Sequence, residues 1–117
     1  MDNNLDIYEE KRPWGSFRRF TNNTLSTVKI LTVNPHEELS IQSHLKRREF
    51  WRVIKGSGVF NINEESFDVT IGDERFIPFN IKHQIKGGPS GMEVLEISLG
   101  EFDEDDIVRY EDKYGRI

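Results

Sequence analysis

The sequence predicts an all-β domain, a sandwich or barrel of short strands. Two observations carry that expectation. Apolar residues recur with period two or in short runs, and no stretch keeps a helical period over three turns. Turn-forming clusters rich in Gly, Pro, Asn and Asp separate these runs at short, regular intervals.

The strands follow in order. Ser16–Phe20 is entered from "RPWG", where Pro13 fixes φ and Gly15 permits a sharp turn. Ser26–Asn34 follows Thr21-Asn22-Asn23, and Asn34-Pro35 ends it before Leu39–Gln42. Phe50–Ile54 and Gly58–Asn63 flank Lys55-Gly56-Ser57-Gly58, which reads as a turn. Ser66–Ile71 and Glu74–Ile77 flank Gly72-Asp73. His83–Lys86 and Met92–Leu99 flank Gly87-Gly88-Pro89. The expected helical segment is short, Asp103–Val108, with acidic residues in its first turn that complement a helix N-terminus. Trp14 and Trp51 are expected in the core or at the barrel mouth, where large rings bury much area.

Composition bounds the function. A chain of 117 residues fits one domain, 1–117, with its own core. The absence of cysteine removes disulfide and thiolate chemistry and suits a reducing cytosol. No apolar run approaches the roughly 20 residues of a membrane span, and the polar start Met1-Asp2-Asn3-Asn4 is no signal peptide. A soluble cytoplasmic protein is expected. The net charge of −5 argues against nucleic acid as a partner. Lys46, Arg47, Arg48, Arg52 and Lys55 nevertheless cluster, as a small anionic ligand would require. Glu101–Asp106 reads as a solvated acidic stretch.

Chemistry concentrates in "LSIQSHLKRREFW" and "GDERFIPFNIKH". Gln42 and His44 share a strand face at i and i+2. Glu49 joins them only if Leu45 to Arg48 form a corner that returns the chain as an antiparallel neighbour. His83 opens a later strand and is the fourth candidate. His36, after Pro35, falls outside this set and reads as a surface residue.

These segments resemble the two motifs of the cupin superfamily. In the first, Gln42 stands at the first histidine of His-x-His, His44 at the second, Glu49 at the acid and Gly56 at the closing glycine. His36 stands where cupins carry the opening glycine. In the second, Gly72, Pro78 and His83 match, while Asn80 and Gly87 replace the family's glycine and asparagine. The resemblance implies a jelly-roll β-barrel of two antiparallel sheets. It also implies a divalent cation (Zn, Co, Mn, Fe or Ni) held by Gln42, His44, Glu49 and His83. Such an N2O2 donor set does not choose among these metals.

A narrower resemblance covers residues 11–116. "KRPWGSF", "LSIQSH", "REFWRVIKGSG", "IPFNIKHQI" and "EDDIVRYEDKYGR" resemble the C-terminal domain of type II mannose-6-phosphate isomerases. The resemblance implies interconversion of mannose 6-phosphate and fructose 6-phosphate, with a phosphorylated sugar as partner. It assigns Arg109 to substrate or transition-state charge and Lys29 to substrate binding or proton relay; Glu111 is a conceivable base. The Gly-rich nucleotide-binding loop of the guanylyltransferase often fused to such domains has no counterpart here, so nucleotidyl transfer is not expected. Where the family usually shows "QMHHHRAEHW" this chain has "QSHLKRREFW": Leu45, Lys46 and Phe50 replace histidines. Two alternatives stand beside the isomerase: another metal-dependent cupin enzyme, such as a lyxose-type isomerase or dioxygenase, and a non-catalytic metal- and sugar-binding cupin. Exposed strand edges in small barrels pair readily, so a homodimer is expected.

Overall fold

Two long strands organise the molecule. In the computed structural model, which describes residues 7–115, β5 (Arg47–Ile62) and β8 (His83–Gly100) pair antiparallel along most of their lengths. The other strands attach to them: β3 (Ser26–Val33) to β8, β6 (Glu65–Thr70) and β7 (Glu74–Ile77) to β5, and β4 (Ile41–Ser43) to β8. β9 (Val108–Glu111) pairs with β4. A hairpin of β1 (Tyr8–Arg12) and β2 (Gly15–Arg19) forms a separate sheet. All pairing is antiparallel.

β5 and β8 run through both layers of a jelly roll. The first half of β5 lies with β7, the second half of β8 and β3. The second half of β5 lies with β6 and the first half of β8, which continues to β4 and β9. The register slips between Val53 and Lys55 and between Gly56 and Gly58. These bulges bend the strands sharply enough to change layer. Both bends depend on glycine. A Cβ on Gly56 would lie 2.2 Å from the Gly91 carbonyl oxygen, and one on Gly58 would lie 2.1 Å from that of Lys86. The expected turns at Lys55–Gly58 and Gly87–Pro89 are therefore bends within continuous strands. Glycine permits a close backbone crossing as readily as a turn, and the local sequence does not separate the two.

The hairpin between β5 and β6 closes through Asn63 and Glu64, both with positive φ (50° and 68°), the geometry whose twist matches paired strands. The anticipated helix at Asp103–Val108 does not form. Asp103 Oδ1 instead accepts the Asp105 amide hydrogen at 2.9 Å, and a turn leads into β9. An aspartate that bonds the backbone two residues ahead offers the chain an alternative to helix. Trp14, at the tip of the β1–β2 turn, is 73% exposed, contrary to expectation, because the hairpin tip projects from the barrel; Trp51 is buried as expected. Met1 to Asn4 and Arg116 lie outside the described residues.

Two apolar clusters follow from strand alternation. Trp51, Val53, Val69, Phe60, Ile85, Val94, Met92, Val33 and Ile77 fill the space between the layers. Trp51 and Phe60 meet edge to face at 4.8 Å. Phe50, Ile97 and Leu99 point the other way and pack against Phe20, Ile7 and Phe76 outside the barrel. Glu74 on β7 holds the hairpin to the barrel through Arg18, whose Nη2 donates to it at 2.8 Å, and it also accepts from Arg52.

Candidate metal centre

The side chains that could carry chemistry lie inside the barrel because of parity. Along β5 the odd positions Arg47, Glu49, Trp51 and Val53 face inward, and all are buried. Glu49 lies opposite Ser98 on β8, and Trp51 opposite Glu96. Glu96 in turn lies opposite Lys29 on β3. In the other layer Gln42 lies opposite both His83 and Arg109, so the three share one row across β8, β4 and β9. Antiparallel partners present their side chains to the same face, so each row addresses the interior together.

His44, Glu49 and His83 converge. Their ligand atoms lie within 4.8 Å of one another, and all three residues are buried. His44 Nε2 is 3.5 Å from Glu49 Oε2, and His83 Nε2 is 3.8 Å from Glu49 Oε1. His44 Nδ1 stands 2.6 Å from the Asp106 carbonyl oxygen. A carbonyl only accepts, so Nδ1 carries the hydrogen and Nε2 presents its lone pair to the cluster. His83 Nε2 is buried without a hydrogen-bond partner. Burial pushes both imidazoles below their ordinary value, His83 to about 4, so both are neutral near pH 7. Two neutral imidazole nitrogens facing one carboxylate are the donor chemistry of a divalent transition-metal site, and this group can hold such an ion.

The surroundings fix the group. Arg47 Nε donates to Glu49 Oε2 at 3.3 Å, and Arg47 Nη2 to His44 Nε2 at 3.3 Å. Trp51 Nε1 donates to Glu49 Oε1 at 3.1 Å. Asp106 locks the β4–β5 corner: its carboxylate accepts the Leu45 and Lys46 amide hydrogens, each at 2.9 Å, while its carbonyl orients His44. Phe102 lies across this end, its ring centroid 4.0 Å from Lys29 Nζ and 4.5 Å from Arg47 Cζ.

Of the residues singled out from sequence, His44, Glu49 and His83 are together, and Gln42 is beside His83. Gln42 Nε2 donates to Ser40 Oγ at 3.1 Å, and Gln42, His83, Trp51 and Glu96 line one small cavity of about 20 Å³. Arg109 shares the Gln42 row, and its Nε is buried without a partner. Lys29 joins the Trp51 row. Glu111 is exposed near the barrel mouth, on the wall of an open cleft of about 470 Å³ that also includes His83 and Lys82. His36 is exposed.

Of the corner residues Leu45 to Arg48, Leu45 and Lys46 are exposed, Arg48 is half-buried and Arg47 is buried. Arg47 is buried on the cluster, since it shares the parity of Glu49. The five cations do not form an anion patch. Lys46 reaches Asp103 at 3.5 Å, Arg52 bonds Glu74, Lys55 is 3.7 Å from Glu93, and Arg48 lies over the Phe79 ring. Leu45 and Lys46, which stand at family histidine positions, are exposed, and Phe50 packs outside the barrel; none faces the buried group.

Three residues were missed from sequence. Arg47 and Glu96 carry a signal, their parity with Glu49 and Ser98. Asp106 carries none, because its partners are about 60 residues earlier in the chain.

The model of the family "Mannose-6-phosphate isomerase C-terminal" matches residues 2–112. The chain belongs to this family. Similar curated proteins are the xanthan biosynthesis protein XanB of Xanthomonas campestris, 37% identical over 90% of this chain, and a mannose-1-phosphate guanylyltransferase of Salmonella montevideo, 36% identical over 92%. The chain spans 23% of the length of each. Among solved structures, the oxalate decarboxylase of Bacillus subtilis superposes with a TM-score of 0.66 at 25% identity, over 74% of this chain and 24% of that one. A cupin protein of Bacteroides fragilis superposes with a TM-score of 0.60 at 21% identity, over 69% and 74%. The fold is a cupin jelly roll. Among the described residues no helix is long and apolar enough to cross a membrane.

Proposed function

We propose that this domain is a metal-dependent aldose–ketose isomerase acting on a phosphorylated sugar, with mannose 6-phosphate and fructose 6-phosphate as the pair. The observation that supports this most is the buried His44–Glu49–His83 group, with an unpartnered imidazole nitrogen, beside a cleft that opens at His83. The cleft has the volume of a small-molecule site.

Gln42, His44, Glu49 and His83 would hold the cation. When bound, a divalent ion there supplies Lewis acidity toward the sugar carbonyl. The chain's own groups supply the rest. Arg109, with its buried Nε unpartnered, is the donor for charge that develops on a sugar oxygen. Asp106 and Arg47 keep His44 and Glu49 in place. Lys82 and Lys86 stand on the wall of the cleft and are the cations available to a phosphate there. Lys82→Ala is expected to raise KM for the sugar phosphate several-fold with kcat little changed.

The test is direct. Purified protein with mannose 6-phosphate and each divalent metal in turn is followed for fructose 6-phosphate, with element-resolved metal content measured on the same sample. Turnover with at least one metal is expected. Saturable sugar binding without turnover by any metal would reject the isomerase and leave a binding protein. The contact of Arg47 with both Glu49 and His44 favours one second reading, a closed ion-pair cluster that needs no metal. Protein that takes up no divalent ion would support it.

A further inference from the structure

We propose that Glu96 is the base that carries the proton between the two carbons of the sugar, with Lys29 as its countercharge. This deepens the isomerase reading above and rests on it.

Glu96 lies in the middle of β8, in the run "MEVLEISL". Its neighbours two residues away, Val94 and Ser98, are both completely buried, so it too faces inward; it is 7% exposed. Carboxylates are rarely buried unless something requires them there. Glu96 lies opposite Trp51 and Lys29, and it lines the small cavity shared with Gln42 and His83. It therefore approaches the centre from the β3 side, across the cavity from the Gln42 row that includes Arg109.

The other buried carboxyl groups among the described residues are committed elsewhere. Glu49 accepts from Arg47 and Trp51 and faces both imidazoles. Asp106 accepts two backbone amides at the corner. Glu111 is exposed. Glu96, whose side-chain hydrogen-bond partner is Trp51, is the buried carboxyl that lines the cavity. Burial, reinforced by Glu49 and moderated by Lys29, Arg47 and a hydrogen bond from Trp51, raises its carboxyl above the ordinary value. A carboxyl buried at the cavity wall between Lys29 and the Gln42 row is placed to take and return a proton.

The step balances within the sugar and Glu96. The carboxylate removes the proton from C2 of the aldose. The C2–H electron pair becomes the C1=C2 double bond, and the C1 carbonyl pair moves to O1. A proton passes from O2 to O1. The O2 pair then forms the C2 carbonyl as C1 takes the proton back from Glu96.

The experiment compares the full chain with Glu96→Gln and Glu96→Asp. It reads kcat and KM for mannose 6-phosphate, metal content, and deuterium incorporation at C1 of fructose 6-phosphate in D2O. Glu96→Gln is expected to keep its metal and its KM within about threefold, while kcat and deuterium incorporation fall about a thousandfold. Glu96→Asp, which retains a carboxylate one methylene back, is expected to recover part of kcat at the same KM. A Glu96→Gln variant within tenfold of wild-type kcat would overturn the assignment. So would variants that lose metal or raise KM while kcat holds, since that marks a structural role. Absence of turnover by the wild-type chain with every metal would instead strike the isomerase reading itself, and is seen without any variant.

Discussion

The two ends of the barrel interior are built from the same strands and have opposite character. On the inward face of β5, Glu49 and Trp51 are followed by Val53, and on β8 Ser98 and Glu96 give way to Val94. At one end Val53, Val94, Phe60, Ile85 and Val69 are buried in one apolar cluster. At the other, Arg47, Glu49, His44, His83 and Glu96 are equally hidden but bring charge with them. Each fully buried aliphatic or aromatic side chain at the first end stabilises the fold by roughly 1.5–3 kcal/mol. At the second end, hydrogen bonds and ion pairs do little more than offset desolvation. One end of the barrel therefore holds the protein together, and the other holds reactive groups in place.

Substitutions can separate the two ends. The largest effect on folding is expected at the apolar end. Phe60→Ala should destabilise by about 3–5 kcal/mol in denaturant titration, with metal bound per folded molecule unchanged. Metal loss in proportion would mean the ends are not separable. Asp106→Ala should have a mixed effect, because it ties the corner to the cluster. Two backbone amides lose a charged acceptor, at about 1–3 kcal/mol. The backbone carbonyl that orients His44 is kept but its corner is loosened, so metal affinity should fall about tenfold by competition with a chelator. His83→Ala should change stability by less than about 1 kcal/mol yet lose metal, whereas His36→Ala loses none. Equal metal content in the two would reject His83 as a ligand.

The smallest effect lies outside both ends. Hydrogen bonding from Arg18, joined by Arg52, holds the Glu74 carboxyl below its ordinary 4.5. A group depressed in the folded state stabilises fully above the unfolded value, and that stabilisation is lost as pH falls through the folded value. Acid titration of stability should therefore steepen below pH 4.5, and Glu74→Gln should flatten that limb by lowering the neutral plateau while leaving stability at low pH nearly unchanged.

Much of this was legible in the chain. Strand alternation announced an all-β domain, and the two motif segments carried the resemblance that implied Gln42, His44, Glu49 and His83. The exchange of glycine for His36 and Asn80 is also intelligible. Both adopt positive φ, 59° and 57°, so the backbone that the family's glycines satisfy is retained by residues that tolerate it less well. Other features were hidden for physical reasons. A glycine pair reads equally as a turn or as a bend, so β5 and β8 were each read as two strands. Arg47 read as one of five clustered cations, although its parity with Glu49 already pointed inward. The acidic stretch offered a helix start, but Asp103 and Asp106 found backbone partners that suit a turn and a corner better.

What the sequence determined by itself is the face on which each side chain lies within its own strand, because a period of two is a local property of extended backbone. It also supplied the residue types for a candidate metal site and the resemblance that orders them. Only the tertiary structure decided that the Gln42 row and the Trp51 row meet across one cavity, that Asp106 lies beneath the corner, and that Glu96 stands beside Lys29. Those are pairings between distant segments. Register between such segments is set by where β5 and β8 bend and by how the whole core packs, and no short window of sequence encodes it.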